Sequence, residues 1–259
     1  MKKYESGIDF NIINFYGIDY IKVLIDSIHK YTDLDYTIYI INNGDNKSIE
    51  SDYQKLVDEY KEDSRIVILK GEDQDKEVKA EEGAIHRCKI DGRMVSEGSM
   101  VKVLAQQKSW KAGNREYICS IDYDAIFLNN WTEELLPLLS ENIFVSYFRY
   151  DLNIARDQFM IMKRENLEKY NLYPNLDYMD TSGNITYTCN KLKLNYKILL
   201  DSFSSRQLRN QHVLDLANGE QIHSPSLKPI VYHFGRGGSR DVSYKQLWLE
   251  KAKQYLNLN

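Results

Sequence analysis

Four short runs rich in β-branched and aromatic residues constrain this chain most: IDFNIINF (8–15), YTIYIIN (36–42), RIVILKG (65–71) and YICSID (117–122). Runs of this length read as strands, and their near-continuous apolar character suits strands covered on both faces. Helical spacing fills the gaps. Ile21, Leu24, Ile25 and Ile28 recur at that spacing after Asp19, an N-cap residue type; Tyr53, Leu56, Val57 and Tyr60 do so after Ser48, another. NNGD after the second run is a turn signal. Residues 72–98 are polar and glycine-dotted and show no clear period. A further helix is expected from Ser99, as its cap, through Lys111, with Gly113 as its stop. Strands alternating with helices in this order specify an α/β fold: a Rossmann-like, mostly parallel sheet with helices on both faces.

The second half is less regular. NIFVSYF (142–148), DQFMIMK (157–163) and PIVYHF (229–234) read as strands, and residues 165–197 as helices and loops rich in Asn and Tyr. SYKQLWLEKAKQYL (243–256) is an amphipathic helix with Tyr244, Leu247, Trp248 and Tyr255 on one face. Packing on the body is expected of it ahead of membrane contact. No repeat or proline-rich linker breaks the 259 residues, so one domain of two abutting halves, 1–124 and 125–259, is expected.

Composition narrows the partners. With 42% hydrophobic and 28% charged residues the chain matches ordinary soluble domains, and a net charge of −4 argues against nucleic acid as a partner. Cys88, Cys119 and Cys189 are odd in number and form no CxxC pair, which reads as reduced thiols in a cytoplasmic protein. No apolar stretch approaches the ~20 residues of a membrane span. The opening MKKYESGIDF has no signal-peptide core, so no integral membrane contact is expected.

The fourth strand run ends in Asp122-Tyr123-Asp124 and turns apolar again through Ala125, Ile126, Phe127 and Leu128. In a parallel α/β sheet, ligands bind outside the carboxyl ends of the strands. Residues i and i+2 of an extended segment point the same way, so the two carboxylates can converge. Close carboxylates repel, and a divalent cation such as Mg²⁺ or Mn²⁺ removes that penalty while leaving positions for phosphate oxygens. The alternative is a solvated turn carrying two acids, against which the apolar flanks argue.

A strand ending in Asp-x-Asp after βαβαβ and a helix resembles the metal site of GT-A glycosyltransferases that use nucleotide-diphosphate sugars. INFYG after the first strand and INNGDN after the second resemble the nucleoside-binding loops of family 2-like members. GSMVKVLAQQKSWKAG resembles the helix before the Asp-x-Asp strand, and WTEELLPLL fits the segment after that strand. The likeness covers residues 8–140 well and the rest loosely. The second loop departs from it, reading Asn42-Asn43-Gly44-Asp45 where Asp-Asp-Gly-Ser is common. The resemblance implies a nucleotide-binding half at 1–124 and an acceptor-binding half with the C-terminal helix at 125–259. It implies a metal-dependent enzyme moving a sugar, from a UDP-sugar by preference, to a hydroxyl acceptor such as a glycan. By loop position it places Asn14, Phe15 and Tyr16 near base and ribose, with Asn43 and Asp45 opposite. Asp122 then meets ribose or metal, and Asp124 the metal.

The same resemblance makes His233, in IVYHFGRGGSR, a third metal ligand; imidazole suits Mn²⁺ better than Mg²⁺. A lone His at a strand end can equally be structural. The adjoining GRGGSR (235–240) can offer backbone N–H groups to an anion, with Arg236, Ser239 and Arg240 as phosphate partners. It can equally be a surface loop. LDYMDTSGNITYTC offers Asp177 and Asp180. DT-x-G segments lie on the acceptor side in some relatives, which makes Asp180 a general base; capping the next helix is the competing role. Ser99 can approach phosphate at its helix start, although capping explains it more simply. His86, Arg87 and Arg93 lie in the unassigned segment, and His29, His212 and His223 read as structural.

Three other classes compete. A phosphatase of the haloacid dehalogenase type carries its DxD after the first strand, typically with Thr close behind; here it comes after the fourth and continues Ala-Ile-Phe. A nucleotidyltransferase would want a Gly-rich, Arg-containing loop where NFYGIDY stands. A non-catalytic sugar-nucleotide or glycan-binding protein would keep the pocket and tolerate loss of Asp180.

Overall fold

Strand β1 (Glu5–Phe15) is followed by helix α1 (Ile18–Tyr31), β2 (Tyr36–Asn43), α2 (Ile49–Tyr60) and β3 (Ile66–Lys70). The three strands pair in parallel in the order β3-β2-β1. A two-residue antiparallel pair, β4 (His86–Arg87) and β5 (Met94–Val95), precedes helix α3 (Glu97–Ala112). Strand β6 (Arg115–Asp122) then pairs in parallel with the other side of β1. The chain therefore reverses its direction of sheet growth between β1 and β6, a topological switch point where open α/β sheets hold ligands. The computed structural model describes residues 4–15, 17–43, 49–71, 86–87, 94–95, 97–178, 181–203, 205, 208, 212–214, 216, 219–235 and 242–258; at 49, 86–87, 94–95, 97–100 and 242 it describes the backbone alone.

After β6 the chain leaves the main sheet for the short strand β7 (Ala125–Phe127), α4 (Thr132–Leu135) and a 3₁₀ turn (Leu136–Ser140). Strands β8 (Phe144–Arg149) and β9 (Ile154–Lys163) return antiparallel to one another, with β9 against β6. Helices α5 (Arg164–Tyr170) and α6 (Gly183–Leu192) lead to β10 (Lys197–Ile198), which completes a seven-stranded sheet of order β10-β8-β9-β6-β1-β2-β3. Strands β11 (Glu220–His223) and β12 (Pro229–His233) join β7 in a second, three-stranded antiparallel sheet. Helix α7 (Val242–Leu256) ends the chain. The mostly parallel sheet with flanking helices is the α/β fold expected from the alternation.

Period-2 alternation divides the main sheet into two buried faces. Ile8, Phe10 and Ile12 of β1, with Cys119 and Ile121 of β6, face α1 and α2. Ile118, Met160 and Met162 face the other way, onto Trp110 of α3, Leu167 of α5 and Ile185 of α6. Cys119 and Cys189 are buried, free thiols, and Cys88 lies outside the described residues. Among the described residues no helix is long and apolar enough to cross a membrane.

Four local expectations need correction. Asp19 does not cap α1: Gly17 holds that position without a side-chain cap, and Asp19 pairs at the surface with Lys245. The Asn14 carboxamide accepts the Gly17 N–H, a local bond that shapes the turn into the helix. Ser99 lies within the first turn of α3, which starts at Glu97. On α7, Leu247 is exposed; Trp248, Ala252 and Leu256 are buried against Tyr20, Val23, Tyr232 and Phe234. The helix packs on the body through the expected face, with Trp248 at its centre and Tyr244 and Tyr255 partly buried on the same group; Leu247 is the one departure. Finally, β6 ends at Asp122, and Tyr123 and Asp124 form a turn rather than continuing an extended strand.

Candidate functional site

Asp122 closes β6 at the C-terminal edge of the sheet, one step from the switch point: its register partner on β1 is Ile13. Asp124 precedes β7. Strand register then brings in residues from far along the chain. His233 sits opposite Ala125 on β7, and Glu220 of β11 sits opposite His233. The Phe234 amide donates to the Asp124 carbonyl at 2.9 Å, fastening the strand end to the acidic turn. Behind it, the Phe234 ring stacks on Tyr244 and packs against Trp248, so α7 braces the strand that carries His233.

The outcome is a cluster in which ligand atoms of Asp122, Asp124 and His233 all lie within 4.8 Å of one another. His233 Nε2 is 3.5 Å from Asp122 Oδ2 and 3.3 Å from Asp124 Oδ1. Its Nδ1 lies 3.1 Å from Glu220 Oε2. The carboxylates converge as expected, but through a turn between two sheets rather than along one strand.

Three further side chains complete the electrostatics. Lys102 of α3 places Nζ 3.0 Å from Asp122 Oδ1 and 3.2 Å from Asp157 Oδ2. Asp157 of β9 is buried and also accepts from Gln106 (2.6 Å) and Thr181 (2.8 Å). Arg156 reaches Glu220 at 2.8 Å. Burial works against charge on Asp122, but Lys102 and His233 outweigh it and hold its carboxyl well below the usual range. Burial likewise disfavours the His233 cation, and Asp124, Asp122 and Glu220 reverse that, raising its pKa well above the ordinary value. The Lys102 ammonium is also held strongly charged, because Asp122 and Asp157 overcome its burial. Four carboxylates thus face two permanently charged bases, leaving negative charge for His233 or a divalent cation to balance. Two carboxylates and an imidazole are also a donor set that fits Mn²⁺ or Mg²⁺.

On the β1–β2 side, Asn14 and Asn43 stand at the strand ends. Asn14 donates to Asn42 Oδ1 at 2.6 Å and accepts from Gly17, so its amide shapes the loop. Phe15 is half-buried against the group of Ile13, Ile41 and Ala105. Asn43 is buried, yet neither polar atom of its side chain has a hydrogen-bond partner. Such a group is rare in native proteins and marks a place for a ligand or water. Gly71 packs on it so closely that an added Cβ would stand 2.1 Å from Asn43 Oδ1 and 2.4 Å from the Asn42 carbonyl. Gly71→Ala is therefore expected to cost about 1–3 kcal/mol of overpacking, a fall in Tm of roughly 5 °C by thermal melting.

On the other side of the acidic pair a cavity of about 560 Å³ opens beside Asp122 and His233, bounded by Arg149, Arg156, Gln158 and the exposed ring of Phe203. Tyr16, Asp45, Asp180, Arg236, Ser239 and Arg240 lie outside the described residues, as do the side chains of Ser99, His86 and Arg87 and all of Arg93. Asp177 donates its amide to Asn175 in a local turn. His29 bonds Tyr36, and His223 is buried beside Gln221. Sequence reasoning missed Lys102, Asp157 and Glu220. Lys102, Gln106 and Ser109 share one helix face at i, i+4, i+7, a usable signal for the first. Glu220 has none, because only strand pairing brings it to His233.

No family model matches the chain, and no curated protein does. Its fold is similar to solved structures at low identity. Mannosyltransferase PcManGT from Pyrobaculum calidifontis, in complex with GDP-Man and Mn²⁺, matches at 12% identity and a TM-score of 0.47, over 76% of this chain and 55% of that one. S. aureus TarS in complex with UDP-GlcNAc matches at 10% identity and 0.44, over 70% and 52%. The apo form of the glycosyltransferase GlyE from Streptococcus pneumoniae matches at 11% and 0.48, over 98% and 63%. The chain spans less than two thirds of the length of each. These likenesses are distant, and the functional reading rests on the site.

Proposed function

We propose that this chain is a divalent-cation-dependent glycosyltransferase that moves a sugar from a nucleotide-diphosphate sugar, a UDP-sugar by preference, to a hydroxyl acceptor such as a glycan. The observation that carries this reading is the convergence of Asp122, Asp124 and His233 at the switch point of the sheet, between a strand edge with an unpaired buried amide and a polar cavity. The nucleoside lies over the ends of β1 and β2, where Asn43 offers its carboxamide and Phe15 its ring edge, with Tyr16 and Asp45 from the adjoining loops. Asp122, Asp124 and His233 hold Mn²⁺, or Mg²⁺. Bound there, such a cation supplies Lewis-acid stabilisation of the departing diphosphate.

Lys102 adds a fixed positive charge on the same edge, and Arg236, Ser239 and Arg240 serve the phosphates from the glycine-rich loop. The acceptor hydroxyl enters from the cavity, and Asp180 removes its proton as general base, so that direct displacement inverts the anomeric centre. Titrating UDP and GDP into the protein with and without Mn²⁺, and following hydrolysis of UDP- and GDP-sugars with and without EDTA, tests the reading. No binding of either nucleotide under any of these conditions would overturn it. Binding and turnover that survive EDTA would keep the donor and remove the cation, leaving Lys102 and protonated His233 as the positive partners.

Lys102→Met separates the two charges. Removing a cation beside a cation site strengthens divalent-ion binding, while diphosphate loses a partner. After allowance for partial exposure the shift is worth about 1 kcal/mol. Mn²⁺ is expected to bind roughly fivefold tighter and UDP several-fold weaker, measured by calorimetry.

A further inference from the structure

The residue opposite His233 in the small sheet carries a role of its own. Glu220 is not part of the converging ligand set; it sits behind the imidazole, with Oε2 3.1 Å from Nδ1, while Nε2 faces Asp122 and Asp124. An ionised carboxylate only accepts hydrogen bonds, so the proton between Glu220 and His233 belongs to Nδ1. The nearby Tyr147 hydroxyl is 2.9 Å from the same Glu220 oxygen and 3.3 Å from Nδ1. It therefore donates to the carboxylate and leaves Glu220 as the acceptor for the imidazole. Arg156 grips both Glu220 oxygens, at 2.8 and 3.0 Å, and stacks over the Tyr147 ring at 5.2 Å. Tyr147 is fully buried. The carboxylate is thus pinned from two sides and aimed at one ring nitrogen.

We infer that Glu220 is a positioning residue: it holds His233 in the Nδ1–H tautomer and ring orientation, so that the Nε2 lone pair is presented to a divalent cation between Asp122 and Asp124. The inference rests on the cation site proposed above. Carboxylate partners of metal-bound imidazoles act this way in general, and their loss weakens metal binding by about 10–100-fold. Tyr147 and Arg156 act one step further out, on Glu220 itself.

The test is a Mn²⁺ titration followed by the electron paramagnetic resonance signal of the free ion, on the full chain and on Glu220→Gln, Glu220→Ala and Tyr147→Phe, with thermal melting in parallel. Glu220→Ala is expected to raise the Mn²⁺ Kd about 10–100-fold. Glu220→Gln, whose amide oxygen still accepts the Nδ1–H, should raise it less, and Tyr147→Phe less again. A purely structural Glu220–Arg156 pair would lower Tm and leave the Kd unchanged; a Glu220→Ala Kd within twofold of the parent overturns the inference while the cation site stands. A parent chain that binds neither Mn²⁺ nor Mg²⁺ removes the cation site and this role together. Nitrogen-15 shifts of His233 in the Mg²⁺-loaded parent provide a readout that needs no variant: Nδ1 protonated is expected, and a bare Nδ1 overturns the assignment.

Discussion

Asp124→Asn is expected to lower turnover of a nucleotide-sugar donor by about three orders of magnitude and to weaken Mn²⁺ binding sharply, with Tm nearly unchanged. The side chain is buried, and Oδ1 is 3.3 Å from His233 Nε2, inside the converging set. Asn keeps the shape but replaces a charged oxygen with a neutral one, a much poorer ligand for a hard cation. If the cation stabilises the leaving diphosphate by several kcal/mol, its loss removes about 4 kcal/mol from the transition state, and each 1.36 kcal/mol is tenfold in rate. The fold should persist, because the hydrogen bond that fastens the turn to β12 uses the Asp124 backbone carbonyl. Donor hydrolysis and Mn²⁺ titration on the same preparation check this. A variant that keeps turnover within threefold of the parent would show that the acidic turn is not the centre of the chemistry.

The largest stability effect is expected far from that site, in Arg164→Met. Arg164 opens α5 and is buried; its guanidinium donates to Asp9 (2.6 Å), to the Trp110 carbonyl (2.6 Å) and to the Arg115 carbonyl (2.8 Å). It thereby ties α3, β6 and α5 to β1. Burial pushes the Asp9 carboxyl up, and the Arg115 amide and Arg164 only partly offset it. The pair is therefore not a net source of stability, yet breaking it from the Arg side strands a buried carboxylate, at about 3–5 kcal/mol. At roughly 2–4 °C per kcal/mol for a chain near this size, Tm should fall by about 10 °C. Asp9→Asn in turn leaves a buried guanidinium with two neutral carbonyl acceptors and no counter-charge.

The sign of the pH dependence comes from the same shift. A carboxyl whose folded pKa lies above its unfolded value destabilises the fold once ionised, and relief comes as pH falls through the folded pKa. Arg164→Met raises the Asp9 pKa further, so the Tm gap between variant and parent should narrow from neutral toward acid. A gap that is constant with pH would rule out the stranded Asp9 charge as the cause.

Much of this architecture was legible in the chain. The apolar runs at 8–15, 36–42, 65–71 and 117–122 became β1, β2, β3 and β6, because a strand buried on both faces must be apolar along its length. The Asp122–Asp124 pair stood out by chemistry and position and His233 through the family resemblance, and the three do meet. Helix caps were less legible: Gly17, not Asp19, holds the N-cap of α1, and Asp19 pairs instead with Lys245 on the distant α7. On α7, Tyr244, Trp248 and Tyr255 turn toward the body as the pattern suggested, and only Leu247 stays exposed, because contact with Tyr20, Tyr232 and Phe234 decides which flank of the apolar face is covered. Glu220 carried no mark at all.

The sequence by itself determined the class of fold, the order of its parallel strands and helices, and the presence of two acids at the end of the fourth run, because these depend on local periodicity and on where a strand must stop. Only the tertiary structure decided that β12 lies between β11 and β7. That register sets His233 opposite Ala125 and Glu220 opposite His233, and it is fixed by pairing between strands far apart in the chain, where one residue of slip would turn each side chain to the other face.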